Sequence, residues 1–428
     1  MSKTVYCQKP EAYLDTLSSV VCSPSFSSTS FHYTLYSFML PIQLIMANIP
    51  PPQAQQVTVA ESWCSPGPAA YDLRTDTITT PTLAMLQAIA QTTLMDDVYQ
   101  EDPTTNEFEK FMADLTGKED SLLVLSGTMG NQIALRSLLT QPPHAVLCHP
   151  RSHIVHSEAG GVATLSQASV QFCIPANGRY LTLEDIKRDV VISNNIHVSP
   201  TRVISLENTL AGVITPLEEV RRISQFARAN GIKMHLDGAR LWEAVAAGAG
   251  SLTDYLECFD TAQMCFSKGL AAPIGSILVG PKTILEHCRW VRKSIGGGIR
   301  QAGIIASAAR VAVEQNFGRG PSGEGGRLRD THTKAKQIEK MWLDRGGITS
   351  RPVETNMVWL DLPHSGITAD QVVRVGKEEG VKLMGGRIVV HHQVVDEALV
   401  RLERVFERLL ASEKKTNGVV HEGQSVYR

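Results

Sequence analysis

From about residue 80 onward the chain alternates two hydrophobic periods. "TPTLAMLQAIAQ" (80–91) sets apolar residues at helical spacing behind a threonine able to cap, and "NEFEKFMADLTG" (106–117) ends on a glycine stop. "DSLLVLSGTMGNQIALRSLL" (120–139) reads as a buried strand, a Ser-Gly-Thr turn and a helix beginning near Met129. "TRVISLEN" (201–208) is a strand and "LEEVRRISQFARANG" (217–231) an amphipathic helix closed by Gly231. "IKMHLDGAR" (232–240) is a strand running into polar residues, and "FDTAQMCFSKG" (259–269) repeats that theme with Lys268 at its end. The alternation predicts an α/β fold with a mainly parallel sheet. In such sheets ligands bind where the strands deliver their carboxyl ends.

A glycine-rich turn, "NFGRGPSGEGGRLRD" (316–330), marks a boundary. After it come a helix, "THTKAKQIEKMWLDRG" (331–346), and a β/α set through "GGRIVVHH" (385–392) and "DEALVRLERVFERLL" (396–410). The pattern divides the chain into a poorly ordered extension (1–70), a large domain (71–320), a smaller C-terminal α+β domain (321–412) and a polar tail (413–428). A chain of 428 residues has room for two such domains.

Charge and cysteine usage narrow the partners. Forty-one Lys and Arg face 43 Asp and Glu, so no basic surplus calls for nucleic acid or an anionic membrane. The expected partners are a small molecule and another subunit. Eight scattered cysteines without a CxxC pair suit a reducing compartment, and argue against a zinc ribbon or a disulfide scaffold; no metal is expected. The first seventy residues are serine-rich, then apolar, then rich in proline and glutamine. Their apolar stretch is interrupted by Pro41 and falls short of the roughly 20 residues of a membrane helix. It lies too far into the chain for a secretory signal, and Glu11 and Asp15 count against a mitochondrial transit peptide. The reading is cytoplasmic, with organelle targeting by the extension as the alternative and Met46 as a possible later start.

Three strand ends carry candidate chemistry. Lys268 stands alone in "CFSKGLAAPIGS" (265–276), among small and apolar residues. An amine so placed either pairs with a carboxylate at a strand end or attacks a carbonyl to form a Schiff base. Asp237 follows an apolar strand, and a buried carboxylate needs a partner. That partner is either Arg240 or the protonated nitrogen of a pyridine cofactor. "SGTMGN" (126–131) offers backbone amides at a helix start, serving as a plain cap or as a phosphate cradle.

Eight motifs in order carry a resemblance: "DLRTDTITTPT" (72–82), "DDVYQEDPT" (96–104), "SGTMGNQIAL", "SHIVHSEAGG" (152–161), "LENT" (206–209), "HLDGARLWEA", "FSKGLAAPIGS" and "GGGIRQAG" (296–303). Together they closely resemble the threonine aldolase family, pyridoxal 5'-phosphate (PLP) enzymes of the aspartate aminotransferase fold, from about Asp72 to near Leu410. The resemblance implies fold type I, with a mainly parallel seven-stranded sheet in the large domain, and at least a homodimer, commonly a homotetramer, with shared active sites. It implies that Lys268 binds PLP covalently, Asp237 pairs with the ring nitrogen, and Gly127 and Thr128 hold the phosphate. His153 would stack on the ring and act as base, directly or through a water. Arg240 and Arg387 would grip the substrate carboxylate with help from Thr75, Arg240 also contacting the cofactor. Arg300 would reach a phosphate from a neighbouring subunit. The implied reaction splits threonine into glycine and acetaldehyde, reversibly. A homologue that has lost PLP is a further class, opposed by the intact Lys268, Asp237, Arg240, Arg387 and His153.

The chain departs from the family pattern at three places. Leu210 and Ala211 follow "LENT" where some relatives carry a histidine, Ser157 stands behind His156 where an aromatic is usual, and Gln100 replaces a glycine. The first removes a polar hold on the β-carbon substituent, and the second leaves a roomier or differently polar pocket beside it. They permit a low-specificity aldolase for threonine, allo-threonine and related substrates, or a racemase of the same scaffold acting on the bond from Cα to hydrogen, with His156 and His391 as extra proton donors. The aldolase is the preferred reading.

Overall fold

The computed structural model describes Ala60, Trp63 and residues 65–413. The extension up to 59, and the tail from 414, lie outside the described residues. Order begins ahead of residue 71, however. Gly67–Tyr71 forms a 3-10 turn with Ala69 and Ala70 buried, and the Val395 N–H donates to the Ala70 carbonyl.

Seven strands form the main sheet: β1 (Asp120–Val124), β2 (Ala145–Cys148), β3 (Ser169–Phe172), β4 (Thr201–Glu207), β5 (Lys233–Asp237), β6 (Thr261–Cys265) and β7 (Ser276–Gly280). Their order is β1-β7-β6-β5-β4-β2-β3. β7 runs antiparallel to both neighbours and every other pairing is parallel. β2, β6 and β7 are buried along their whole length, as strands covered by helices on both faces must be. β3, at the edge, leaves Ser169 and Phe172 exposed.

Local signals explain the helices. Asp102 caps Pro103–Thr116 by accepting the Thr105 N–H at 3.0 Å, and Gly117, at φ 67°, ends it in the left-handed region. The helix after β1 begins at Gly127 rather than near Met129, because Ser126 Oγ accepts the Met129 N–H and so fixes the cap one residue before Gly127. Gln100, standing in for a glycine, adopts φ 59°. The turn asks for a left-handed residue there, which is why glycine suits it.

A smaller antiparallel pair, β8 (Met357–Trp359) with β9 (Arg387–Val389), lies in a second apolar cluster. Leu73 belongs to that cluster, with its backbone bonded to Lys382 and Val389. The helix Arg327–Leu343 starts four residues before the expected 331. It sends Leu328 into the main core and Ala335, Ile338 and Trp342 into the second. Cys148, Cys173, Cys258, Cys265 and Cys288 are free and buried. No helix among the described residues is long and apolar enough to cross a membrane.

Trp342 is fully buried, packs edge-on against Phe406 at 5.0 Å and donates to the Ile348 carbonyl at 2.8 Å. Truncation to alanine is expected to cost about 3–5 kcal/mol. Chemical denaturation reads this, and an unchanged midpoint for Trp342→Ala would refute it.

Candidate functional site

The parallel register brings Glu207 of β4 beside Asp237 of β5, and Asp237 beside Gln263 of β6. Asp237 is buried and accepts hydrogen bonds from Asn131 Nδ2 (2.8 Å), Gln263 Nε2 (2.7 Å) and the Ala239 N–H (3.1 Å). Burial opposes its charge, but the Lys268 ammonium and these donors outweigh it and hold the carboxyl below the usual range. The expected alternative partner, Arg240, makes no ion pair with it. Asn131 is itself oriented. Burial lowers His235 to about 4, so the ring is neutral; its Nε2–H donates to Asn131 Oδ1 (3.0 Å) and its Nδ1 accepts from Thr261 (2.9 Å). Both Nδ2 hydrogens of Asn131 are thereby turned to Asp237 and Glu158.

Lys268 lies partly buried in the loop from β6 to β7, and its carbonyl accepts from Thr79 Oγ1 at 3.3 Å. Its charge favours ionisation of Asp76, Asp237 and Glu207. A Cβ at the next residue, Gly269, would stand 2.5 Å from Glu243 Oε1 and would have to displace that buried carboxyl from its place beside His332. The helix start after β1 leaves the N–H groups of Gly127 and Thr128 without intrahelical acceptors. Cβ atoms at Gly127 and Gly130 would meet the Gln263 side chain at 3.2 and 2.9 Å. The glycines thus let the anion-binding end of the helix approach the residue that holds Asp237.

The two arginines differ in their company. Arg240 grips fully buried Asp76 with two bonds, Nε to Oδ2 (2.7 Å) and Nη2 to Oδ1 (2.6 Å), and Asn356 approaches Oδ2 at 3.4 Å. Arg387, on β9, pairs with no carboxylate among the described residues. Its Nη2 donates to the Arg74 carbonyl at 3.2 Å and its buried Nε has no acceptor among the described residues. Burial and the neighbouring Arg240 charge lower its pKa. A guanidinium in that state calls for an anion. Thr75, next to Arg74, caps the turn Asp76–Ile78.

His153 follows β2. Its Nδ1 bonds Glu158 Oε1 at 2.7 Å, its N–H donates to Glu207 Oε2 at 2.9 Å, and the Glu158 bond raises its pKa. Arg300 is the predicted residue that stays apart. Its side chain is 82% exposed and pairs weakly with Asp96 at 3.5 Å, with no link to the cleft of its own chain. Sequence reasoning missed Asp76, Asn131, Glu158, Glu207 and Gln263. The first four sat inside the quoted motifs without being given a role, and Gln263 is a polar residue in a fully buried strand, a signal in itself.

These residues fit PLP: a buried ionised carboxylate for the ring nitrogen, an amine beside it, and free amides at a helix start for the phosphate.

The beta-eliminating lyase family model matches residues 72–365. An aldolase named vrtJ from Penicillium aethiopicum is 55% identical, over 82% of this chain and 89% of its own. The alanine racemase TOXG from Cochliobolus carbonum is 43% identical, over 83% and 92%. A low-specificity L-threonine aldolase from Candida albicans is also 43% identical, over 80% and 91%. Among solved structures, a putative L-allo-threonine aldolase from Listeria monocytogenes superposes with a TM-score of 0.65 at 23% identity, over 82% of this chain and 98% of that one.

Asp76 generates a stability prediction. Burial would raise its carboxyl, yet Arg240 holds it at about 2, below the ordinary 3.8. The stabilisation is complete above that ordinary value and is lost as pH falls through about 2. Asp76→Ala, which strands Arg240, should cost about 3–5 kcal/mol near neutral pH. The gap from the wild type should narrow as the medium is acidified towards pH 2. Denaturant titrations at a series of pH values check both; a gap independent of pH would contradict the assignment.

Proposed function

Since this chain belongs to the beta-eliminating lyase family, we propose that it cleaves L-threonine, L-allo-threonine and related β-hydroxy amino acids to glycine and an aldehyde, reversibly and with low specificity. It is a carbon–carbon lyase with PLP as its cofactor. The observation that carries the reading is Asp237, kept ionised by Asn131 and Gln263 with the Lys268 amine beside it. When bound, PLP supplies an electron sink for a bond broken at the substrate's α-carbon.

The chain's own residues do the rest. Asp237 would pair with the ring nitrogen and favour its protonated form. Lys268 would hold the cofactor through its amine. Arg387, lacking a counter-ion, takes the substrate carboxylate with Thr75 at its side, while Asp76 braces Arg240 and leaves its Nη1 for the same anion. His153, anchored through Nδ1 on Glu158, has its Nε2 available to take the β-hydroxyl proton. The aldehyde leaves as the bond from Cα to Cβ breaks, and a proton returned to the α-carbon completes glycine. Leu210 is buried and apolar and Ala211 has only a methyl group, so neither side chain holds the hydroxyl and the β-carbon epimers are poorly discriminated.

The racemase relative supports a second reading, cleavage of the bond from Cα to hydrogen in alanine. It needs proton donors on both ring faces. His391 Nε2 is committed to the Asp72 carbonyl at 3.0 Å, and the exposed His156 side chain makes no hydrogen bond or ion pair among the described residues, which favours the aldolase. Exposed Arg300 suits a contribution to a neighbouring subunit's phosphate site, so the proposed working form is a homodimer or homotetramer, in the cytoplasm.

Purified protein should show a visible absorbance band that borohydride abolishes and that Lys268→Ala lacks. It should release acetaldehyde from L-threonine; D-alanine from L-alanine without acetaldehyde would install the racemase instead. Lys268→Ala and Arg300→Ala should each be nearly inactive alone and regain part of the activity when their subunits are mixed. Failure of mixing to restore any activity would remove Arg300 from the shared site.

A further inference from the structure

Glu207 ends β4 in register with Asp237, and the reaction described above gives it no task. Among the described residues its carboxyl receives one hydrogen bond, from the His153 N–H, and has no ion-pair partner within 4 Å. Charged and titratable groups face it from every side: Asp237 on β5, Arg240 after it, Lys268 from the β6–β7 loop, His153 after β2 and Cys148 at the end of β2. His149 and Tyr180 share a small cavity with it. Burial, then the Asp237 charge, push Glu207 up to about 8, whereas Asp237 is held low. The pair therefore carries one negative charge, and Asp237 has it. A neutral carboxyl owns an O–H to donate, yet no acceptor for it is found among the described residues.

The anchors of the cofactor indicate the missing acceptor. With its ring nitrogen at Asp237, its point of attachment at Lys268 and its phosphate at the helix start following β1, a bound cofactor would turn the edge opposite the phosphate away from β1. In the strand order, β4 lies on that far side of β5. That edge of PLP bears the phenolic oxygen.

We propose that Glu207 is a cofactor-binding acid whose protonated carboxyl donates a hydrogen bond to the phenolic oxygen of bound PLP. The inference rests on the PLP reading above. It gives the ring a donor on the edge away from the phosphate, and makes the chromophore sensitive to Glu207 ionisation. The carboxyl stays neutral at working pH, and alkali removes both its proton and the hydrogen bond.

The test compares wild-type holoenzyme with E207Q, which is neutral at every pH and still a donor, and with E207L, which is neither acid nor donor. Near neutral pH the absorbance spectra of wild type and E207Q should match. On the alkaline side the wild type should show a spectral transition that E207Q lacks. E207Q should bind PLP within about threefold of the wild type, and E207L about tenfold or more weaker, the loss of one strong hydrogen bond. Identical alkaline titrations, different spectra near neutrality, or undiminished PLP affinity in E207L would overturn the proposal. If E207L does not fold, by circular dichroism, the E207Q titration decides alone. A wild type with no borohydride-sensitive band would instead sink the PLP reading itself, so the two failures are distinguishable.

Discussion

A negative charge kept under the main sheet's carboxyl edge, on Asp237, is the constraint around which the site is built. A buried carboxylate is tolerated only with donors and a nearby cation, and here they come from the helix after β1 (Asn131), from β6 (Gln263), from the turn after β5 and from the Lys268 loop. Each donor is held in turn. Thr261 and His235 set Asn131, and Asn131 and Gln132 set Glu158, which sets His153. The cofactor face of the protein is thus one hydrogen-bonded unit spanning several elements. Burial keeps the His235 ring neutral, and its partners choose the tautomer: Asn131 Oδ1 can only accept, so Nε2 carries the proton and Nδ1 accepts from Thr261.

The two arginines depend on a different balance. Two guanidinium groups lie close enough for Arg240 to depress Arg387, and Asp76 neutralises the first while leaving the second open. Asn356, from the segment before β8, touches Asp76, and Arg387 stands on β9, so this end is completed by residues packed with the second apolar cluster. The helix Arg327–Leu343 enters both clusters, and its His332 bonds buried Glu243 at 2.7 Å. Glu243 also borders Gly269, beside Lys268. A helix shared by the two clusters therefore reaches, through His332 and Glu243, the residue next to Lys268.

The amino-acid sequence by itself determined the α/β class, the capping threonine ahead of Leu83, the helix stop at Gly117, the order of strand, turn and helix over 120–139, and, through eight motifs, the family, with Lys268, Asp237, His153 and Arg387 as candidates. Those signals are local: a cap needs three residues, a strand needs an apolar run, a motif needs a short window. The tertiary structure decided who partners whom. Asp237 could have paired with Arg240, three residues away, but the fold gives Arg240 to Asp76, 164 positions distant, and gives Asp237 to Asn131, 106 positions distant. It left Arg387 without a carboxylate partner among the described residues, and Arg300 exposed beside Asp96. It also raised Glu207, an unremarked letter of "LENT", by setting it next to Asp237 in the register of two parallel strands. Partnership and protonation depend on distance and burial in three dimensions, and neither is carried by spacing along the chain.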